Sequence, residues 1–159
     1  MSRAFIAIRP PESVLDAIAA LPAVPGRPTT RDQWHITLQF LGDVEDLDAI
    51  ELRLETPAGE VQFGGLGTFP GVVWLGLRQG SEMLTALALE IAAQLGVQDQ
   101  RTYHPHLTLS RFKERRKPKL PEIGAVGEAW LVDEAIVYES ILKPTGAEYR
   151  AVASFPLML

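Results

Sequence analysis

Apolar residues along this chain recur with two different periods, and the switches between them outline its elements. Arg3–Ile8 is a nearly unbroken apolar run stopped by Pro10-Pro11, which predicts a first strand. Glu12–Leu21 spaces Val14, Leu15, Ile18 and Leu21 along one helical face, and Pro11 suits the first turn of that helix. Three prolines and Gly26 make Pro22–Arg31 a loop. Trp34–Leu41 reads as a second strand closed by Gly42-Asp43, and Leu47–Leu54 as a helix with Leu47, Ile50 and Leu54 on one side.

Val61–Phe69 is glycine-rich but carries Phe63, Leu66 and Phe69, an irregular strand, and Val72–Leu77 is a short buried strand by its β-branched and aromatic content. The clearest helix is Ser81–Leu95, where Leu84, Leu87, Ile91 and Leu95 form one stripe and Gly96 follows as a stop. Leu107–Phe112 is again a strand, and Lys113–Gly127 a long basic loop. Ala129–Leu142 contains one or two strands, Ala135–Ile141 being the better defined; Pro144-Thr145-Gly146 turns the chain into a final strand, Tyr149–Leu157.

The order strand, helix, strand over residues 3–41 returns over residues 72–112. This is the pattern of a duplicated β-α-β unit. It predicts an α+β fold in which two pseudo-symmetric lobes with antiparallel-rich sheets face one another across a central cleft. At 159 residues the whole chain, 1–159, fits a single domain with a sizeable core.

The second strand of each unit carries the same phrase: His35-Ile36-Thr37-Leu38 and His106-Leu107-Thr108-Leu109. Alternation in a strand puts His and Thr on one face and the two aliphatic residues on the other. Two such faces can converge on one small anionic group. Histidine titrates near neutrality, so one neutral imidazole can take a proton while its protonated counterpart gives one. Thr37 and Thr108 can donate hydroxyl hydrogen bonds to phosphate oxygens as charge grows there.

Composition narrows the setting. With no cysteine there is neither disulfide nor thiolate chemistry, which fits the cytoplasm. No apolar run approaches the roughly 20 residues of a membrane span, and the first residues lack a signal-peptide pattern. A soluble monomer with no membrane association and no obligatory protein partner is the expectation. The net charge of −5 excludes a general nucleic-acid coat protein. Yet Arg111–Lys119 holds six basic residues against one acid, a local +5 that leaves −10 for the rest. Beside the second motif, that run can steer a phosphate inward.

Two other readings compete. His104 and His106 form an H-x-H pair that with His35 would make a three-histidine zinc site, but this leaves both threonines unexplained. A module that binds a nucleotide or RNA end without turning it over would not need both histidines. Tyr103 is a candidate to stack on a base or simply to pack.

The paired H-x-T-x motifs resemble the signature of the 2H phosphoesterase superfamily, and the rest is similar to its LigT-like branch, the RNA 2′,3′-cyclic phosphodiesterases also called 2′-5′ RNA ligases. The similarity extends through Arg3-Ala4-Phe5-Ile6-Ala7-Ile8, Gln39-Phe40-Leu41-Gly42, Gly67-Thr68-Phe69-Pro70 with Trp74, Pro105 through Arg111, Glu139-Ser140 and Gly146-Ala147-Glu148-Tyr149. It implies the two-lobed 2H fold and hydrolysis of an RNA or nucleotide 2′,3′-cyclic phosphate end to a 2′-phosphate, with reverse ligation to a 2′-5′ linkage; the two-histidine scheme itself needs no metal or other cofactor. It also implies that His35 is the proton donor and His106 the acceptor. Thr37 and Thr108 would grip phosphate, with Arg111 as a clamp. Strict alternation puts Arg111 opposite His106, so twist, a bulge or long reach is required. Where that family often has an arginine before the V-x-W strand, this chain has Gly71.

Overall fold

The computed structural model describes residues 1–98, 102–113 and 117–159. Along the chain lie β1 (Ser2–Ile8), α1 (Glu12–Ala19), β2 (Arg27–Pro28), β3 (Ile36–Val44), β4 (Gly59–Phe69), β5 (Val72–Gln79), α2 (Ser81–Leu95), β6 (Leu107–Arg111), β7 (Ala125–Val132), β8 (Glu134–Lys143) and β9 (Gly146–Pro156). Every strand pairing within the two sheets is antiparallel. One sheet runs β3-β1-β8-β9, the other β2-β6-β5-β4-β7.

The predicted duplication is visible in this order. In each sheet the histidine strand lies beside the strand that opens its unit, β3 against β1 and β6 against β5. The connecting helices cross over: α1 packs on β7 of the five-stranded sheet, and α2 against β3 of the four-stranded one. A single apolar cluster therefore draws on both sheets, from Ile6, Ile8 and Ile36 to Phe63, Leu75 and Leu107.

The period-two reading of the motif strands holds on their undersides. Ile36, Leu38, Leu107 and Leu109 are all buried, whereas Thr37 and Thr108 are half-buried on the other face. Alternation then breaks at matching places. Thr37 and Gln39 of β3 face the adjacent residues Ala7 and Ile6 of β1, so Leu38 is the extra residue of a bulge. Thr108 and Ser110 of β6 face the adjacent residues Trp74 and Val73 of β5, which makes Leu109 extra. Each bulge reverses the alternation beyond it, so the residue three places after the threonine returns to the threonine's face.

Several sequence expectations need correction. Leu47–Leu54 is not a helix: one 3₁₀ turn spans Leu47–Ala49, Ile50 is extended, and no regular element follows before Gly59. Leu52 and Leu54 are buried as alternating residues, not as a helical stripe. Side chains of α2 satisfy that segment's backbone. Gln94 pairs with both N–H and C=O of Arg53 (2.9 and 2.7 Å), and Glu90 accepts from the N–H groups of Glu55 and Thr56 (2.7 and 3.0 Å). Three leucine-type positions sufficed to mimic a helix because tertiary hydrogen bonds, not local ones, decide here.

The strand after the first motif passes through Gly42-Asp43 to Val44, since β1 continues to pair with it. Within the segment read as the loop Pro22–Arg31, Arg27-Pro28 adds a short edge to β6. The loop Lys113–Gly127 ends early, at Ala125, where β7 begins, and β7 and β8 are two separate strands. Residues 114–116, the centre of the basic run, lie outside the described residues. Gly96 closes α2 in the left-handed conformation expected of a helix stop.

Replacing the buried Leu107 by alanine should cost about 2–5 kcal/mol in urea unfolding, whereas the same change at Leu142, 84 % exposed, should stay within about 0.5 kcal/mol. Equal effects at the two positions would show that the motif strand's underside is not core.

Candidate active site

Both histidines sit one residue before their strands begin, where the backbone has not yet entered a ladder. Nδ1 of His35 lies 2.7 Å from the carbonyl of Gln33, and Nδ1 of His106 lies 2.7 Å from that of His104. A carbonyl only accepts, so each Nδ1 carries the proton and donates it two residues back. The reactive nitrogen of each neutral ring is then Nε2. That of His35 lies 2.9 Å from the Thr37 hydroxyl, and that of His106 has no partner among the described residues.

One cleft of about 600 Å³ between the sheets is lined by His35, Thr37, His106 and Thr108 together. Arg111 lines it as well. The Leu109 bulge is what carries that side chain round, leaving Ser110 fully buried with its hydroxyl donating to the Pro25 carbonyl at 2.6 Å. On the other strand the matching bulge brings Phe40 to the cleft, 66 % exposed. Arg3 enters from β1, so among the described residues the cleft wall holds two arginines and no carboxylate, in a protein of net charge −5. Such a wall favours an anion.

The two histidines have different surroundings. Phe5 (ring centroids 4.8 Å apart), Tyr149 (5.3 Å, edge-on) and Tyr138 (6.5 Å) enclose His35. Burial there pushes its imidazole down to about 4, outweighing the Gln33 hydrogen bond, and the positive Arg9, His106 and Arg111 push the same way. Arg9 is held behind the motif by donating to the carbonyls of Arg31 (2.9 Å) and Trp34 (2.6 Å). His106 is also lowered, chiefly by burial and then by the charges of His104 and Arg111, against the support of its carbonyl partner. Phe69 meets its ring edge-on at 5.0 Å.

Tyr103 lies on the wall of an adjoining apolar pocket of about 340 Å³, shared with Thr37, Phe40 and His106. Its hydroxyl donates to the Thr37 carbonyl at 2.8 Å, pinning the approach to the second motif onto the first-motif strand. His104 turns to Phe69 (5.2 Å) and Trp74 (4.8 Å). Among the described residues no three His, Asp or Glu side chains gather as a metal site, so the three-histidine arrangement does not form. Gly71 occupies the β4–β5 turn at φ +78°, a conformation in which arginine would be strained.

Sequence reasoning named neither the box of Phe5, Tyr138 and Tyr149 nor Arg3 and Phe40 as site residues. Alternation along β1 was the available signal for Arg3 and Phe5. No spacing signals Tyr138, which reaches His35 only through strand pairing with Phe5.

Histidine ring titration by NMR should show His35 neutral down to about pH 4 and His106 below the ordinary value near 6.5. Because the unfolded chain binds the His35 proton first, its contribution to stability is present above about pH 6.5 and is lost as pH falls toward about 4. Titration of both rings at 6.5, with flat stability across that window, would contradict the burial argument.

Residues 10–139 match the family model described as the 2′-5′ RNA ligase superfamily. An RNA 2′,3′-cyclic phosphodiesterase of Aquifex aeolicus is 33 % identical over 146 residues, 77 % of each chain, and that of Escherichia coli 34 % identical over 125 residues, 69 % of this chain and 71 % of the other. The crystal structure of E. coli LigT complexed with NADP+ superposes with a TM-score of 0.85 at 28 % identity, covering 99 % of both chains. Paired histidine motifs, a duplicated antiparallel fold and whole-chain similarity converge: this chain belongs to the 2′-5′ RNA ligase superfamily.

Proposed function

We propose that this protein is an RNA 2′,3′-cyclic phosphodiesterase that opens a terminal cyclic phosphate to a 2′-phosphate. The observation that carries the reading is the pair of Nε2 atoms, each fixed by an Nδ1–H to carbonyl bond, on the wall of one cleft that has no carboxylate among the described residues. Phosphoryl transfer asks mainly for positioning and charge stabilisation, which this cleft supplies.

In the reaction, His106 Nε2 removes a proton from water as its oxygen attacks phosphorus. The bond from phosphorus to the ribose 3′ oxygen breaks, and His35 Nε2–H protonates that oxygen. The product carries a 2′-phosphate and a 3′-hydroxyl. His106 leaves the cycle protonated and His35 neutral, and exchange with solvent restores both. The direction follows the family resemblance. It fits the Nε2 of His106, which has no partner among the described residues and is open to accept; the burial that lowers His35 favours its neutral form, so its proton has to be taken up with the phosphate. Thr37 and Thr108 hold the non-bridging oxygens, and Arg111 balances their charge. Tyr103 supports the first motif through Thr37.

The free site disfavours a second positive charge, so protonation of His35 accompanies anion binding. A bound phosphate stabilises the imidazolium and raises the depressed value back toward neutrality. When the 5′-hydroxyl of a second RNA end attacks phosphorus in place of water and the bond to the 3′ oxygen breaks, the same machinery joins the two ends in a 2′-5′ linkage. Acting as a monomeric single unit in the cytoplasm fits the shared core, the lack of cysteine and the absence, among the described residues, of a helix able to cross a membrane.

Product analysis by phosphorus NMR with a 2′,3′-cyclic nucleotide should give the 2′-phosphate, in the presence of a chelator as in its absence. His35→Ala and His106→Ala should each lose at least about 10²-fold in turnover while remaining folded. A cyclic nucleotide bound tightly but left closed would instead favour a recognition module. Activity should follow a bell in pH. For kcat/KM, which reports the free enzyme, the bell should centre below pH 6.5; for kcat it should move to higher pH. Coincident profiles centred above pH 7 would contradict the proposed coupling of proton and phosphate.

A further inference from the structure

The two-residue strand β2 is tied down more firmly than its length requires. Thr29 donates its backbone N–H to the Leu109 carbonyl (2.9 Å), and its hydroxyl reaches the carbonyls of Thr108 (2.8 Å) and Leu109 (3.0 Å). Trp34 Nε1 donates back to that hydroxyl at 3.0 Å, and the buried Ser110 hydroxyl holds Pro25. A Cβ at Gly26 would lie 2.7 Å from the Arg111 carbonyl, so only glycine lets the segment come this close.

The result of this anchoring is a juxtaposition that is unfavourable by itself. Arg27 pairs directly with Arg111 across β2 and β6. Directly opposed residues in an antiparallel pair share a face with Cβ atoms about 5 Å apart, and like charges there repel. Among the described residues no carboxylate forms an ion pair with either arginine. Both line a groove of about 510 Å³ that continues the catalytic cleft past Thr29, Gln33 and Ala147. Among the described residues its acids are Asp32 and Glu148, and Glu148 is engaged by Lys143 at 2.9 Å.

We propose that the Arg27–Arg111 pair is a binding subsite for the phosphodiester immediately upstream of the cyclic phosphate, so that the enzyme distinguishes RNA ends from free cyclic nucleotides. The inference rests on the cyclic phosphodiesterase reading of the cleft. Arg111 stands at the junction, on the wall of both cavities, and Arg27 lies only on the groove side. In the proposed pose the strand leaves the catalytic cleft along this groove, which shares Thr29, Gln33 and Arg111 with it, and the preceding phosphate lies at the pair. A bound phosphate converts their mutual repulsion into two charge-assisted contacts. Sequence specificity is not expected, because phosphate contacts position a strand without reading it.

The test compares a nucleoside 2′,3′-cyclic phosphate with a dinucleotide bearing the same cyclic end, substrates that differ by one upstream phosphodiester and the nucleoside it carries. Arg27→Gln should lower kcat/KM for the dinucleotide about tenfold, the scale of one charge-assisted contact, and leave the mononucleotide unchanged. Arg27→Lys should retain most of the difference. For the wild type, the salt dependence of log kcat/KM should be steeper for the dinucleotide, and Arg27→Gln should reduce that slope by about 0.7. Arg27 is exposed, and unchanged thermal unfolding would confirm that the variant is intact. Equal losses on both substrates, or no loss on either, would overturn the subsite. Failure of the wild type to open the mononucleotide ring would instead overturn the underlying reading.

Discussion

The site depends on one interaction made twice: an imidazole Nδ1–H donated to the carbonyl two residues earlier. Gln33 and His104 can serve because their carbonyls precede the strands and are not claimed by a ladder. The bond selects the tautomer, sets the ring plane and leaves Nε2 as the nitrogen toward the cleft. Without it, neither the threonine contact at His35 nor the open acceptor at His106 would have a defined direction.

Around that shared device the two halves diverge. Equivalent bulges at Leu38 and Leu109 re-aim the residue three places after each threonine, and one half supplies Phe40 where the other supplies Arg111. Likewise, aromatic rings from three strands enclose His35, whereas His106 keeps a histidine and one phenylalanine beside it. Duplication provides two similar titrating groups. Differential burial makes their surroundings unequal, and His35 is pushed down to about 4.

What could be read from the sequence was what repeats or alternates. The duplicated units, the His/Thr faces, the buried undersides and the long α2 stripe all follow from periodicity and recur in the structure. Leu47–Leu54 misled because a helical spacing of three residues carries little weight against the capture of its backbone by Glu90 and Gln94, distant in sequence. Arg111 was ambiguous for a sharper reason: its side depends on a single extra residue in β6, visible only once β5 is paired with it. Tyr138, Tyr149 and Arg27 gain their positions through strand pairing, which no local pattern encodes.

Nitrogen NMR on protein with isotope-labelled histidine, with inorganic phosphate added, tests most directly whether two carbonyl-fixed imidazoles act on one phosphate. Both motif rings should be in the Nδ1–H form at neutral pH, and phosphate should perturb Nε2 of His35 and of His106 together. Nε2–H tautomers, or a response confined to one ring, would contradict the account.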